Sequence, residues 1–565
     1  MDFGKLKERR LVQWCVAYVA GAWLVLQVVN TLAGPWNIPE FVERAIAVLL
    51  FFGFFVVATV AWFHGEQGRQ SVSGAELLIL AGILGTTGIA LVYLGGDDER
   101  LTDPSPASVS TAATIDAQTV AVLPFTDLSA GQDFQYFADG VAAEIVSALT
   151  QSGSVRVASR TSSFSMRGKP VSEVGATLSV ATVLEGSVRV DGDRLRISVE
   201  LVDAATGFQV WAQPFDRAAE DILSIQAEIS AAVVRELSGE TTNPETVRID
   251  PEAYDSYLQA RYYWNRRDPD DLERAAELFQ RAIDLAPEFV RAYAGLADTY
   301  AVIGYWQYQS PDETFPEAER VAREALALEP GMAEPLATLA YINLYYDWDW
   351  ESAESLFKEA IAANSQYPVA HQWYANLLTV LGRTQEAEEQ IKISMGLDPL
   401  SMIARVVQPW VLYYGREYDR ALGLIDDTIA LDPNFSIAPY FKGWILQEQG
   451  DLENAIAALE SAVELSNGSG ITLAALAQAR GLAGDIDSAR EILDRLTNPE
   501  LTPNPPAYEI AKVYLALGEK DELFAWLERA YERRANQIVF AKVDPQLDSI
   551  RDDDRYRDLI DRIGL

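Results

Sequence analysis

A short stop signal recurs through the second half of the chain. Leu285-Ala-Pro287, Leu328-Glu-Pro330, Leu397-Asp-Pro399 and Leu431-Asp-Pro433 each close a run with helical apolar spacing. Pro399 and Pro433 are 34 residues apart. The same step back from Pro399 lands on Ser365, and the same step forward from Pro433 lands on Asn467, each ending a matching run. Proline cannot continue a helix, and it biases the residue before it toward extended backbone. A fixed period of this length predicts repeated helix pairs. Each pair is too small to bury its apolar face alone, so the pairs stack into a solenoid.

The residues inside the period agree with this. Ala353, Ala387, Ala421 and Ala455 recur where two helices must approach closely, and Phe357, Ile391, Ile425 and Leu459 recur four positions later. These are the small and bulky positions of a tetratricopeptide repeat. The first unit ends with Ala275, Phe279, Ala282 and Pro287. The second, Val290 to Pro330, carries about nine extra residues around Trp306 to Thr314, which predicts a protruding loop. Later units are weaker: 470–499 offers Ala477, Gly484 and Ala489, and 504–535 offers Ala511, Tyr514, Gly518 and Ala530. The reading is an array of about eight units over 248–540, with a capping segment at 541–565. Pro409, inside a helix, predicts a kink or a register break.

Charge divides the chain. Residues 1–96 carry six residues of each sign, so the net charge of −38 lies entirely beyond them. Such a surface repels phosphates, which argues against nucleic acid as a partner. Cys15 is the only cysteine, so neither an internal disulfide nor a cysteine-based zinc site is available.

Three apolar runs open the chain, at about 11–33, 45–63 and 77–94. Each is long enough, at about 1.5 Å per residue, to cross a hydrocarbon core of about 30 Å. They predict a membrane domain over 1–96. Lys5, Lys7, Arg9 and Arg10 precede the first run, which places the amino terminus in the cytoplasm. An odd number of spans then puts the rest of the chain outside it. In a bacterium with two membranes this means a multi-pass inner-membrane protein with its carboxyl-terminal part in the periplasm. Residues 97–117, with Pro, Ser, Thr and Ala and no apolar period, read as a flexible linker.

Between 118 and 238 the period changes. Thr119 to Phe125 reads as a short buried strand, and Phe137 to Leu149 as an amphipathic helix. Thr182 to Val190 and Arg194 to Val202 alternate at period two across Asp191-Gly-Asp193, a hairpin. Ile222 to Leu237 reads as a closing helix. The motifs Ala121-Val-Leu-Pro-Phe125, Tyr136-Phe-Ala-Asp-Gly140, Ser159-Arg-Thr-Ser-Ser-Phe164, Leu184-Glu-Gly-Ser-Val-Arg189 and Leu201-Val-Asp-Ala-Ala-Thr-Gly207 resemble the FlgO-like α/β domain. That domain is in turn similar to the amino-terminal domain of TolB. Tyr345-Tyr-Asp-Trp-Asp-Trp350, Ala370-His-Gln-Trp-Tyr374, Leu397-Asp-Pro-Leu-Ser401 and the tail from Val543-Asp-Pro545 resemble the same group of bacterial proteins, in which this domain precedes a tetratricopeptide array. Some of its members carry a nucleotide-cyclase or winged-helix domain at the amino end. Apolar runs stand there in this chain, so neither activity is carried over. The resemblance implies no catalytic residues. Glu185-Gly186 and Asp139-Gly140 read as turn and helix-start residues rather than as a polar site.

Catalytic machinery is not marked. The two histidines are His64, in the expected membrane region, and His371, at a packing position of its repeat. No phosphate-cradling glycine motif or calcium loop occurs, and no cofactor or metal is expected. The concave groove of the array is more informative. Helix positions that face it carry Tyr345, Tyr346, Gln372, Asn376, Trp410, Tyr413, Tyr414, Tyr440, Trp444 and Gln447. Aromatics give large contact area and amides pair with a peptide backbone, so the groove predicts a protein or peptide ligand. The expected fold class is multidomain: three transmembrane helices, a small α/β domain and an all-α tetratricopeptide superhelix. The expected function is a non-catalytic, membrane-anchored extracytoplasmic scaffold. The alternative is a sensor subunit whose α/β domain binds a small ligand and signals through the spans.

Overall fold

The strands and helices follow from where the apolar period switches between two and 3.6. A computed structural model describes residue 50 and residues 116–565, apart from 132, 193, 242–247, 267–268 and 503. Apart from residue 50, the three expected spans lie outside the described residues, as does the linker up to residue 115. The expected fold class is corrected accordingly. The described protein is mostly helical, with one small sheet and a helix-pair solenoid. Among the described residues no helix is long and apolar enough to cross a membrane.

The sheet part begins with β1 (Thr119–Val122) and β2 (Thr126–Asp127), then α1 (Gln135–Ser152), β3 (Arg156–Val157), α2 (Arg160–Ser165) and α3 (Val171–Leu178). A meander follows, β4 (Thr182–Asp191), β5 (Arg194–Asp203) and β6 (Gln209–Ala218), and α4 (Ile222–Ser238) closes it. Strand order is β3-β1-β4-β5-β6, with β2 pairing β4. β1 lies parallel to β3 and β4, while β4, β5 and β6 run antiparallel. Asp191 pairs Arg194 around Gly192, whose φ of 58° favours glycine. Val141, Ile145 and Leu149 of α1 and Ile225, Ile229 and Val233 of α4 cover one face of the sheet. α2 and α3 cover β1 and the start of β4 on the other, around Ala121, Val174, Leu178 and Val183. The rest of that face is open.

Among the described residues, sixteen helices then form eight pairs. They are α5 (Pro251–Trp264) with α6 (Pro269–Leu285), α7 (Val290–Tyr305) with α8 (Pro311–Leu328), α9 (Ala333–Ile342) with α10 (Trp350–Ala363), and α11 (Pro368–Val380) with α12 (Thr384–Leu397). The others are α13 (Met402–Tyr414) with α14 (Tyr418–Leu431), α15 (Ile437–Glu448) with α16 (Leu452–Leu465), α17 (Gly470–Leu482) with α18 (Ile486–Thr497), and α19 (Ala507–Ala516) with α20 (Lys520–Glu532). Ala353, Ala387, Ala421, Ala455 and Ala489 are fully buried at the 34-residue step. A β-carbon on Gly443 would sit 2.4 Å from Leu459, so only glycine admits that close crossing.

Two local expectations change. The extra residues of the second unit mostly lengthen α8, leaving Trp306 to Ser310 outside the helices with Trp306 and Tyr308 exposed. α13 runs through Pro409 and the repeat register is kept, so of the kink or break expected there the break does not occur. The tail holds two short 3-10 turns, Ile538–Phe540 and Pro545–Ile550, and α21 (Asp554–Ile563). Asn504 Nδ2 donates to the Gln307 carbonyl at 3.4 Å, so distant repeats approach each other around this tail.

Candidate functional site

The tail lies against the first helices of several pairs, α11, α13, α15 and α19 among them. Trp410, Tyr413 and Tyr414 project from α13, and Tyr440, Trp444 and Gln447 from α15; all six are buried. Tyr345 and Tyr346 sit on a five-residue π turn, Asn343–Asp347, that extends α9. Tyr345 is buried and its hydroxyl accepts from Asn376 Nδ2 at 3.2 Å. Tyr346 and Gln372 are half-buried, and Tyr346 donates to Asp312 at 3.0 Å. Tyr345, Trp410, Tyr413 and Tyr414 come together on one wall against Phe540 and Asp544.

That wall is covered by the chain itself. Phe540 is fully buried, edge-on to Trp410 with ring centroids 4.8 Å apart and stacked on Tyr414 at 5.2 Å. Asp544 is fully buried; it accepts from the Tyr508 hydroxyl at 2.8 Å and the Tyr413 hydroxyl at 3.5 Å. Lys512 Nζ lies 3.7 Å from the same carboxylate and 4.1 Å from the centre of the Trp444 ring. At the rim Arg416 holds Asp548 with two hydrogen bonds, at 2.6 and 2.8 Å, and Gln546 donates to Gln447 at 2.9 Å.

Several buried polar atoms of the wall have no partner among the described residues: Trp410 Nε1, Tyr414 OH, Tyr440 OH, Trp444 Nε1 and Gln447 Nε2. Burial holds the Tyr414 and Tyr440 hydroxyls protonated, well above the ordinary phenol range. Tyr305, hydrogen-bonded to Tyr345, is pushed up to about 12 by burial and by the nearby Glu509. Burial, with Asp544 and Asp548 close by, pushes the Glu448 carboxyl up to about 7. Tyr508, Lys512, Phe540 and Asp544 were not among the expected groove residues. Carrying the same positional mapping into 504–535 places Tyr508 and Lys512 on the wall. The tail has no helical period that would reveal Phe540 and Asp544.

The sheet and the array meet through polar contacts. Asp398 accepts from Ser159 and, at 2.6 Å, from Ser162, and Ser162 Oγ in turn accepts from Leu400 N at 2.9 Å. Glu144 accepts from Tyr257 at 2.6 Å and pairs with Arg291 at 2.5 Å. Over the open face of β4, β5 and β6 lies a cavity of about 690 Å³. Glu185 of β4 faces Glu200 of β5 across the strands, with Gln135, Arg167 and Gln213 around them. Burial, then Glu200, raises the Glu185 carboxyl. Like charges paired this way are unfavourable, and a cationic group would relieve them. Glu185-Gly186 is therefore mid-strand and Asp139-Gly140 lies within α1, neither at a turn nor at a helix start. His371 is buried and satisfied, its ring nitrogens on Gln390 at 2.7 Å and the Ser365 carbonyl at 3.1 Å.

Residues 410–470 and 446–513 each match a model of the tetratricopeptide repeat. Over 231 residues the chain is 32% identical to a protein called putative adenylate cyclase 3 in Rhizobium meliloti strain 1021, covering 39% of each. Over 176 residues it is 25% identical to the transcriptional regulator HilA of Salmonella typhimurium, covering 30% of this chain and 31% of the regulator. The chain thus spans well under half the length of these relatives. Similar solved structures include PilF of Pseudomonas aeruginosa, at 18% identity, 42% of this chain, 97% of that one and a TM-score of 0.31. Yeast Tom70 is similar at 13% identity, 96% of this chain, 99% of that one and a TM-score of 0.38. The helix pairs within 410–513 are tetratricopeptide repeats.

Proposed function

We propose that the protein is a non-catalytic scaffold that takes protein or peptide partners into the concave groove of its repeats. The observation that carries this is the row of buried indole and phenol groups, with the Gln447 Nε2, that have no partner among the described residues on an aromatic wall. A peptide backbone offers both carbonyls and N–H groups to such a row, and the rings supply apolar contact. The test is the Tyr414→Phe, Tyr440→Phe double variant, compared with the parent in panning of a random peptide library. Removing two unpartnered buried hydroxyls leaves thermal stability unchanged or raised. Capture of the enriched peptides falls about tenfold, since each lost hydrogen bond is worth about 0.5–1.5 kcal/mol. A library that enriches no sequence, or capture that the variant does not alter, overturns the reading.

A second reading, a small-ligand sensor, is favoured by the cavity over Glu185 and Glu200. The same double variant separates the two, because it leaves that cavity and any response to a small ligand untouched. We read the sheet domain as FlgO-like on its motifs; two stretches quoted for the resemblance, Ser159 to Phe164 and Leu397 to Ser401, meet at Asp398. The placement we propose is a bacterial inner membrane, with residues beyond the amino-terminal 96 in the periplasm, on the strength of Lys5, Lys7, Arg9 and Arg10. An alkaline phosphatase fused after residue 110 is expected to be active, and an inactive, stably expressed fusion overturns the placement.

A further inference from the structure

The groove's present occupant is instructive because its backbone is turned inward. Phe540 N bonds to Gln537 O, Ala541 N to Ile538 O, Val543 N and Asp544 N to Phe540 O, and Leu547 N to Asp544 O. These 3-10 and turn hydrogen bonds use the backbone groups that an extended chain would offer to the wall. Among the described residues, Trp410 Nε1, Tyr414 OH, Tyr440 OH and Trp444 Nε1 are buried on that wall without partners. The tail fills the groove with side chains and, apart from the bonds of Asp544, Gln546 and Asp548, leaves these indole and phenol groups unused. Each sealed polar atom opposes the apolar gain of burying Ile538, Val539, Phe540 and Leu547.

Two side chains make the specific contacts. Phe540 enters the ring cluster of Trp410 and Tyr414, with Tyr345 at 6.4 Å. Four residues on, Asp544 meets Tyr508, Tyr413 and Lys512. The wall therefore carries an aromatic socket beside a socket for a carboxylate. In a molecule with a net charge of −38, Lys512 is a fully buried cation, and the carboxylate facing it comes from the tail.

We propose that residues 536–550 are a resident copy of the groove's ligand. The groove accepts a peptide carrying an aromatic side chain and, four positions later, a carboxylate, and such a peptide takes the place of the tail. The inference rests on the peptide-groove reading above and adds the recognition pattern and the competition. A tethered occupant acts at a high effective concentration, so a free peptide binds weakly until the tail's own contact is weakened.

The probe is a fluorescein-labelled peptide with the sequence of residues 534–552, titrated by anisotropy against the full chain and its Phe540→Ala variant. Binding to the variant is expected to be at least tenfold tighter than to the parent. Peptides in which the phenylalanine is replaced by alanine, or the aspartate corresponding to Asp544 by asparagine, lose at least tenfold. A variant that keeps its helical circular dichroism and binds the peptide no more tightly overturns the proposal. Phe540 is fully buried and the variant can fail to fold, so hydrogen exchange of the parent chain supplies a second measurement. Amides of 538–550 are expected to exchange through openings that leave the α13 amides protected. Exchange of both sets only together overturns displacement. Should library peptides still bind in that case, the groove reading stands and this inference alone falls.

Discussion

Replacing Asp544 by alanine is expected to lower unfolding stability by about 3–5 kcal/mol, the usual cost of leaving one member of a buried ion pair alone. The carboxylate is fully buried and Lys512 is 1% exposed, so water cannot take over the lost partner. Lys512 Nζ would keep the faces of Trp444 and Tyr508, at 4.1 and 5.2 Å, and the more distant attraction of Glu509 and Glu448. The Tyr508 hydroxyl would lose its acceptor, and the Gln546 N–H would lose the oxygen it reaches at 3.0 Å. Asp544→Asn separates charge from shape, because it keeps the volume and removes the counter-charge. It is expected to cost most of what alanine costs. The double change Asp544→Leu with Lys512→Met is expected to recover a large part of the loss, since a buried pair replaced by apolar volume is often neutral. Urea unfolding of the four proteins measures this. An alanine variant within 1 kcal/mol of the parent would show that the tail is not seated on Lys512.

The parts of this protein that were legible in the sequence are those fixed by a period. Ala353, Ala387, Ala421 and Ala455 announce the helix crossings because a 34-residue step puts the same steric demand at each. The hairpin around Gly192 was legible because period-two alternation and a glycine turn leave one register. What escaped depends on neighbours distant in sequence. Gly186 reads locally as a turn glycine; its actual reason is the Phe125 ring, 2.8 Å from where a β-carbon would stand. Gly140 is explained in the same way by Leu258, 2.6 Å away and on another helix. The groove shows both outcomes. Repeat register turns Trp410, Tyr414, Tyr440 and Trp444 inward. That the chain's own tail covers them is a long-range pairing no local pattern encodes. Truncating Trp410 or Trp444 to alanine therefore strikes a packed core before it strikes any ligand, at about 3–5 kcal/mol each. Removal of unpartnered hydroxyls is the cleaner probe of the groove.

Stability is expected to fall by about 2 kcal/mol between pH 4.5 and pH 7 through Glu448 alone. Its carboxyl rises from an ordinary 4.5 to about 7 because it is largely buried and faces Asp544 and Asp548. The folded state then holds a proton that the unfolded state has already released. The contribution is complete below pH 4.5 and is lost as pH rises through 7, with little further change above that. The full shift would give a larger figure; partial exposure of the side chain screens it and reduces the effect. Arg416 and Lys512 act the other way and limit the rise. Glu448→Gln isolates the group: the variant should match the parent near pH 4.5 and be more stable by about 2 kcal/mol near pH 8. Equal stability of the two proteins at pH 8 would mean that Glu448 ionises freely in the folded state. The direction of the effect also bears on the groove. Ionised Glu448 repels the two tail carboxylates seated beside it, so raising the pH loosens the tail at the end that Arg416 holds from the other side.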